Sequence, residues 1–201
     1  MLSLDRRSKA FLGALLGLIV LSVHTTEASE VFPPSVQMPL PTFDYVLDTT
    51  ILFDANVTED FIPGPFGDRA YFKFDKGNIT DPNTGALVAN FVPGLGGEFG
   101  IRSYVNGQFY VDATVVAQWA DDGKFAYFKL HGIGSLDGDP TSTFYARLET
   151  DSPNRQDLVD KFLIWENLLL PPSASPPNSI AAYFKIFAKN DPDGEFAGYQ
   201  S

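Results

Sequence analysis

The chain of 201 residues contains no cysteine, only two histidines and only two tryptophans. Without cysteine there is no disulfide, no thiolate nucleophile and no sulfur-ligated metal centre, so the fold must rest on its apolar core. One histidine, His24, falls close behind the one long hydrophobic run, which leaves His131 as the only later residue whose ordinary pKa lies near neutrality. That count excludes a multi-histidine zinc or iron site. The Gly-X-Ser-X-Gly elbow of a serine hydrolase is also missing, and His131, just before Gly132, reads as an ordinary strand histidine rather than a general base. No long helical periodicity, heptad or internal repeat is present.

The long hydrophobic run itself, residues 10–23, follows the basic cluster Arg6, Arg7 and Lys9. It has the length of a signal-peptide core and is short for a bilayer-spanning helix, and Thr26-Glu27-Ala28 places small residues at −3 and −1 before Ser29. We therefore expect residues 1–28 to be a signal peptide, the mature protein to be secreted, and no stable membrane span to remain after cleavage. An uncleaved anchoring helix is the competing expectation. The net charge is −11, and removal of the leader leaves 23 acidic and 11 basic side chains, which makes nucleic acid and anionic membranes poor partners. Two sequons, at Asn56 and Asn78, lie near expected turns, where an exported chain can accept glycans.

Residues 29–41 carry Pro33, Pro34, Pro39 and Pro41 and read as an extended segment with no core of its own. From residue 42 to 201 we expect one β-barrel domain. Strands are expected at 43–53, 69–74, 86–92, 109–119, 125–133, 142–150, 162–169 and 180–189. Turns are expected at Lys76-Gly77-Asn78, Asp81-Pro82-Asn83-Thr84-Gly85 and Asp121-Asp122-Gly123, with one helical turn near 157–161. The clearest element is 109–119, where Phe109, Val111, Ala113, Val115, Ala117 and Trp119 share one face and Asp112 and Thr114 fall on the other. Both faces hold apolar residues, as in a barrel wall with a mixed interior, although a sandwich strand has the same pattern. Gly94, Gly96, Gly97 and Gly100 cluster without a following helix or a Lys-Ser pair, so they indicate a bend in the wall rather than a phosphate loop.

Arg69, Asp112, Arg147 and Glu149 stand in expected strands amid apolar residues, where an unpaired charge is costly, so they are candidates for a buried ionic network. Such a network could orient or protonate a ligand, or it could simply close the barrel. Trp119 and Tyr127 could shape a pocket, although strand aromatics are more often plain wall and core. Asp137, Asp139, Asp191 and Asp193 occur in glycine-containing loops but lack calcium-loop spacing and read as solvated acids, so no metal site is assigned.

The order of motifs resembles the domain of unknown function 3237 family over residues 43–189. The motifs are Gly64-Pro65-Phe66-Gly67-Asp68-Arg69, Gly96-Gly97-Glu98-Phe99, the strand from Asp112 to Gly123, Leu148-Glu149-Thr150 and Trp165-Glu166-Asn167. Glu98 stands where the family pattern has an aspartate, and Glu166 replaces an apolar residue. The resemblance implies a single antiparallel β-barrel of about eight strands, able to enclose a small ligand, and implies no reaction. The functional expectation is a barrel binding a small apolar molecule. Such a barrel could catalyse a cofactor-free isomerisation, cyclisation or lyase step through Asp112, Glu149 and Arg69, with Arg147, Trp119 and Tyr127 in contact with the ligand. The competing expectation is a non-enzymatic secreted interaction or surface protein, with its function in its loops.

Overall fold

Period-two alternation decides which side of each strand faces inward. In β5 (Phe109–Trp119) every odd-numbered residue is buried and every even-numbered one keeps solvent contact. The same alternation runs through the other strands of the structure, a computed structural model that describes residues 40–54, 61–137 and 140–190. The leader, nearly all of the proline-rich segment, Asn56, Asp139, Asp191 and Asp193 lie outside the described residues.

The remaining strands are β1 (Phe43–Asp54), β2 (Ile62–Pro63), β3 (Gly67–Thr80), β4 (Leu87–Ser103), β6 (Phe125–Ser135), β7 (Thr141–Thr150), β8 (Leu163–Leu169) and β9 (Ser179–Lys189). They pair antiparallel in the order β1-β9-β8-β7-β6-β5-β4-β3, and β3 pairs back onto β1, which closes an eight-stranded barrel. The two-residue β2 only flanks the edge of β3. The expected all-β barrel is therefore the observed fold.

One end of the barrel is plugged. The short 3-10 turn Pro153–Arg155 and the single-turn α1 (Gln156–Val159) join β7 to β8 there, and Leu158 and Val159 pack against the core. Arg155 lies over the Trp119 ring, 4.8 Å from its centroid, and the Trp119 indole N–H donates to Thr150 Oγ1 at 3.0 Å. A chain of rings then fills the interior: Trp119 to Phe128 at 6.3 Å, Phe128 to Trp165 at 5.1 Å, Trp165 to Phe184 at 5.7 Å and Phe184 to Phe144 at 6.0 Å. Full burial of side chains of this kind contributes about 1.5–3 kcal/mol each, which is how the fold stands without crosslinks.

Two expectations need correction. No turn forms at Lys76-Gly77-Asn78. β3 runs straight through it, pairing with β4 over 67–73 and again over 78–80, and with β1 over 74–80. Asn78 consequently sits exposed within a strand and not at a turn. The glycine cluster does mark a disturbance, a register slip between Phe91 and Gly96, but the strand resumes beyond it, so β4 has 17 residues instead of the seven expected. Among the described residues no helix is long and apolar enough to cross a membrane.

Candidate functional site

Asp44, at the start of β1, stands beside the inward Ala188 but is exposed and accepts from the Asn190 side chain; the other inward positions of β1 and those of β5 to β9 carry no ionisable side chain, and the register of β3 and β4 adds three: Asp68, Glu98 and Arg102. All three lie in the distal half of the barrel, away from α1. The local sequence fixes their direction. Gly97 faces out, since a Cβ there would lie 2.8 Å from the Tyr71 ring, and Phe99 faces out to pair with that same ring at 4.5 Å. Gly100 faces in, where the Phe109 ring occupies the space a side chain would need. Glu98, between them, must therefore point into the barrel.

Directly beside Glu98 in register stand Phe72 on β3 and Ala113 on β5. Phe72 lies edge-on to Phe109 and to Phe53, 6.2 Å from each, and Phe53 meets Phe74 at 5.4 Å. Protein atoms hem in the Glu98 carboxyl, yet its side chain keeps a part of its solvent contact. No charge or hydrogen bond among the described residues offsets its burial, and desolvation alone pushes its pKa up to about 7. On β8, which is four strands round from β4 in either direction, the Trp165 indole N–H is also buried without a hydrogen-bond partner among the described residues.

Asp68 and Arg102 spend their charges on each other. Arg102 Nη2 donates to Asp68 Oδ2 at 3.0 Å, its guanidinium lies 4.7 Å from the Phe61 ring centroid, and the Tyr104 hydroxyl donates to Asp68 Oδ1 at 2.6 Å. Those donors hold the Asp68 carboxyl below the usual carboxylate range, the Tyr104 hydrogen bond most and Arg102 next. Tyr104 joins this inner pair to an outer feature: its ring, with Pro65, Phe66, Ile101, Val105 and Tyr110, lines an apolar groove of 380 Å³ on the outside of the wall.

The residues expected to form a buried network lie elsewhere. Asp112, Arg147 and Glu149 project outward, with side chains 49%, 68% and 56% exposed. Arg69 and Tyr127 are exposed too. On the outer wall Asp112 pairs with Lys129 and lies 3.4 Å from His131 Nδ1, while Arg147 pairs with Glu149 at 3.3 Å. Register sets Lys129 beside Arg147, so this is a surface charge ladder across β5, β6 and β7, and Arg69 is no part of it. Of the expected set only Trp119 faces inward, where it belongs to the ring chain and the plug. The groups that do face the interior went unassigned, although the alternation of Gly97, Glu98, Phe99 and Gly100 carries the signal.

No family model matches the chain, and no curated protein does either. Solved structures match it in fold. A protein of unknown function from Clostridium acetobutylicum is 18% identical with a TM-score of 0.60, the match covering 74% of this chain and 99% of that one. A conserved protein of unknown function from Rhodopseudomonas palustris is 18% identical at 0.58, covering 76% and 99%. A beta-barrel-like protein from Acinetobacter baumannii is 15% identical at 0.57, covering 77% and 100%.

Proposed function

We propose that this chain is a secreted member of the domain of unknown function 3237 family that binds a small, largely apolar molecule in the distal half of its barrel, with Glu98 as the polar anchor. The observation that carries the reading is the unpartnered Glu98 carboxyl directed into an apolar, aromatic-walled interior. Natural interiors rarely leave such a group unsatisfied, and a ligand or bound water is the usual complement. The ring chain toward α1 fills that part of the barrel, which limits the ligand to a small one.

The chemistry such a pocket offers is acid–base. A carboxyl with a pKa near 7 can hold a proton at neutral pH and release it within one step, which suits a cofactor-free isomerisation, cyclisation or lyase reaction. The second reading, a non-enzymatic interaction protein, draws on the outer groove, where Phe66 and Val105 are 75% and 93% exposed. One experiment tests both. The protein is collected from its own secretions, its amino terminus and glycans at Asn56 and Asn78 are read by mass spectrometry, and retained ligand is sought by native mass spectrometry. The ligand-binding reading expects a chain starting near Ser29 with a small molecule bound, and loss of that molecule in a folded Glu98→Leu variant. A ligand-free chain, or one whose ligand is indifferent to Glu98→Leu, favours the interaction reading.

A further inference from the structure

We propose that the ligand of the interior site is an organic cation, an amine or quaternary ammonium, whose charge sits against the Glu98 carboxylate among the rings of Phe72 and Phe109. The inference rests on the interior-pocket reading above and names the charge of its occupant. The argument is one of charge balance. Of the three ionisable groups at inward positions of β3 and β4, Asp68 and Arg102 pair at 3.0 Å, which leaves the Glu98 carboxyl without a charged partner among the described residues. The inward faces of β5 to β9 hold no titratable group to balance it, so the carboxyl is matched either by a proton or, once ionised, by the positive charge of a ligand.

The walls suit that charge. Phe72 stands next to Glu98 in register, the Phe53 and Phe109 rings each lie 6.2 Å from the Phe72 ring, and Phe74 meets Phe53 at 5.4 Å. Aromatic faces attract cations through their quadrupoles, most strongly where water is excluded, and the same rings accept the apolar body of the ligand. The acidic chain as a whole, at −11, also raises the local concentration of cations over anions. A carboxylate ligand would meet the opposite situation, since Arg102, the one cation at an inward position among the described residues, is already paired and half exposed.

The inference is tested on the full chain with three probes of similar size, benzyltrimethylammonium, 2-phenylethanol and phenylacetate, titrated by calorimetry at about pH 8.5 and about pH 5.5. The permanently charged probe should bind at least about tenfold tighter than the other two at the higher pH, and at least about tenfold tighter there than at the lower pH, where Glu98 is protonated. Glu98→Gln should remove both differences, and Glu149→Gln on the outer wall should change neither. A carboxyl-carbon NMR titration of the unmodified protein provides a measure independent of any variant: the cation should lower the Glu98 pKa. Equal binding of the neutral probe, or tightest binding of phenylacetate, overturns the cationic ligand while the pocket stands. If no probe binds, a metabolite retained in native mass spectrometry leaves the pocket standing and sinks the cation, whereas a ligand-free protein sinks both.

Discussion

Glu98 holds a carboxyl where ionisation is costly, and the sign of its linkage to folding follows. Its folded pKa is about 7 against an ordinary value of 4.5, so between those values the folded chain keeps a proton that the unfolded chain has released. Its contribution to stability is therefore fully present below pH 4.5 and is lost as pH rises to 7 and beyond. The shift corresponds to about 3 kcal/mol, an upper figure because water reaches the side chain. Denaturant unfolding of the protein and of Glu98→Gln from pH 4.5 to 8 measures it: the difference should grow in favour of the amide as pH rises and flatten above 7. A difference independent of pH would mean that the carboxyl ionises without penalty and does not face an apolar interior. Asp68 has the opposite sense, with its pKa lowered by Tyr104 and Arg102, so what it contributes disappears only when pH falls through its depressed value.

At the scale of the element, legibility tracked the regularity of the strand. β5 was readable to its end residues because six odd-numbered apolar side chains alternate with mixed neighbours for 11 positions without interruption. The same pattern concealed which face was inner. Apolar residues on both faces made Asp112 look interior, whereas the uniformly apolar face, Phe109 to Trp119, is the one that packs. In β4 the slip between Phe91 and Gly96 resets the parity, so alternation counted from the first half of the strand does not carry through to Glu98. The glycines there keep their own logic. A Cβ at Gly100 would fall 1.9 Å from the Phe109 ring, and β4 must approach β5 that closely for the ring to lie across it. Gly100→Ala should accordingly destabilise the barrel by about 1–3 kcal/mol, the usual cost of overpacking, and Phe109→Leu in the same chain should recover part of the loss. Denaturant midpoints of the two variants check this. A neutral Gly100→Ala would show that the wall can widen at that level.

For the molecule as a whole, closure is the feature with physical consequences, because β1 must find β9 about 140 residues away and β3 must find β1 across its own irregular register. The consecutive hairpins from β4 to β7 need only short loops. Loop-closure entropy makes the distant pairings slow and late, so the meander should form in the transition state and the seam afterwards. Ile51 tests the seam: it is buried, pairs with Ala182 on β9 and Gly77 on β3, and Ile51→Val should cost about 1 kcal/mol. Val115 tests the meander, buried between Gly96 and Phe128. If the seam closes last, Ile51→Val will act almost wholly on unfolding, raising its rate about fivefold, while Val115→Ala slows folding. Stopped-flow chevrons separate the two, and the reverse assignment would mean that the barrel nucleates at its closure. The order also bears on the site, because Glu98 lies on β4 between the meander and β3. Its carboxyl stays hydrated until β3 docks and loses water only as the wall shuts, so the penalty it carries should fall on the last steps of folding.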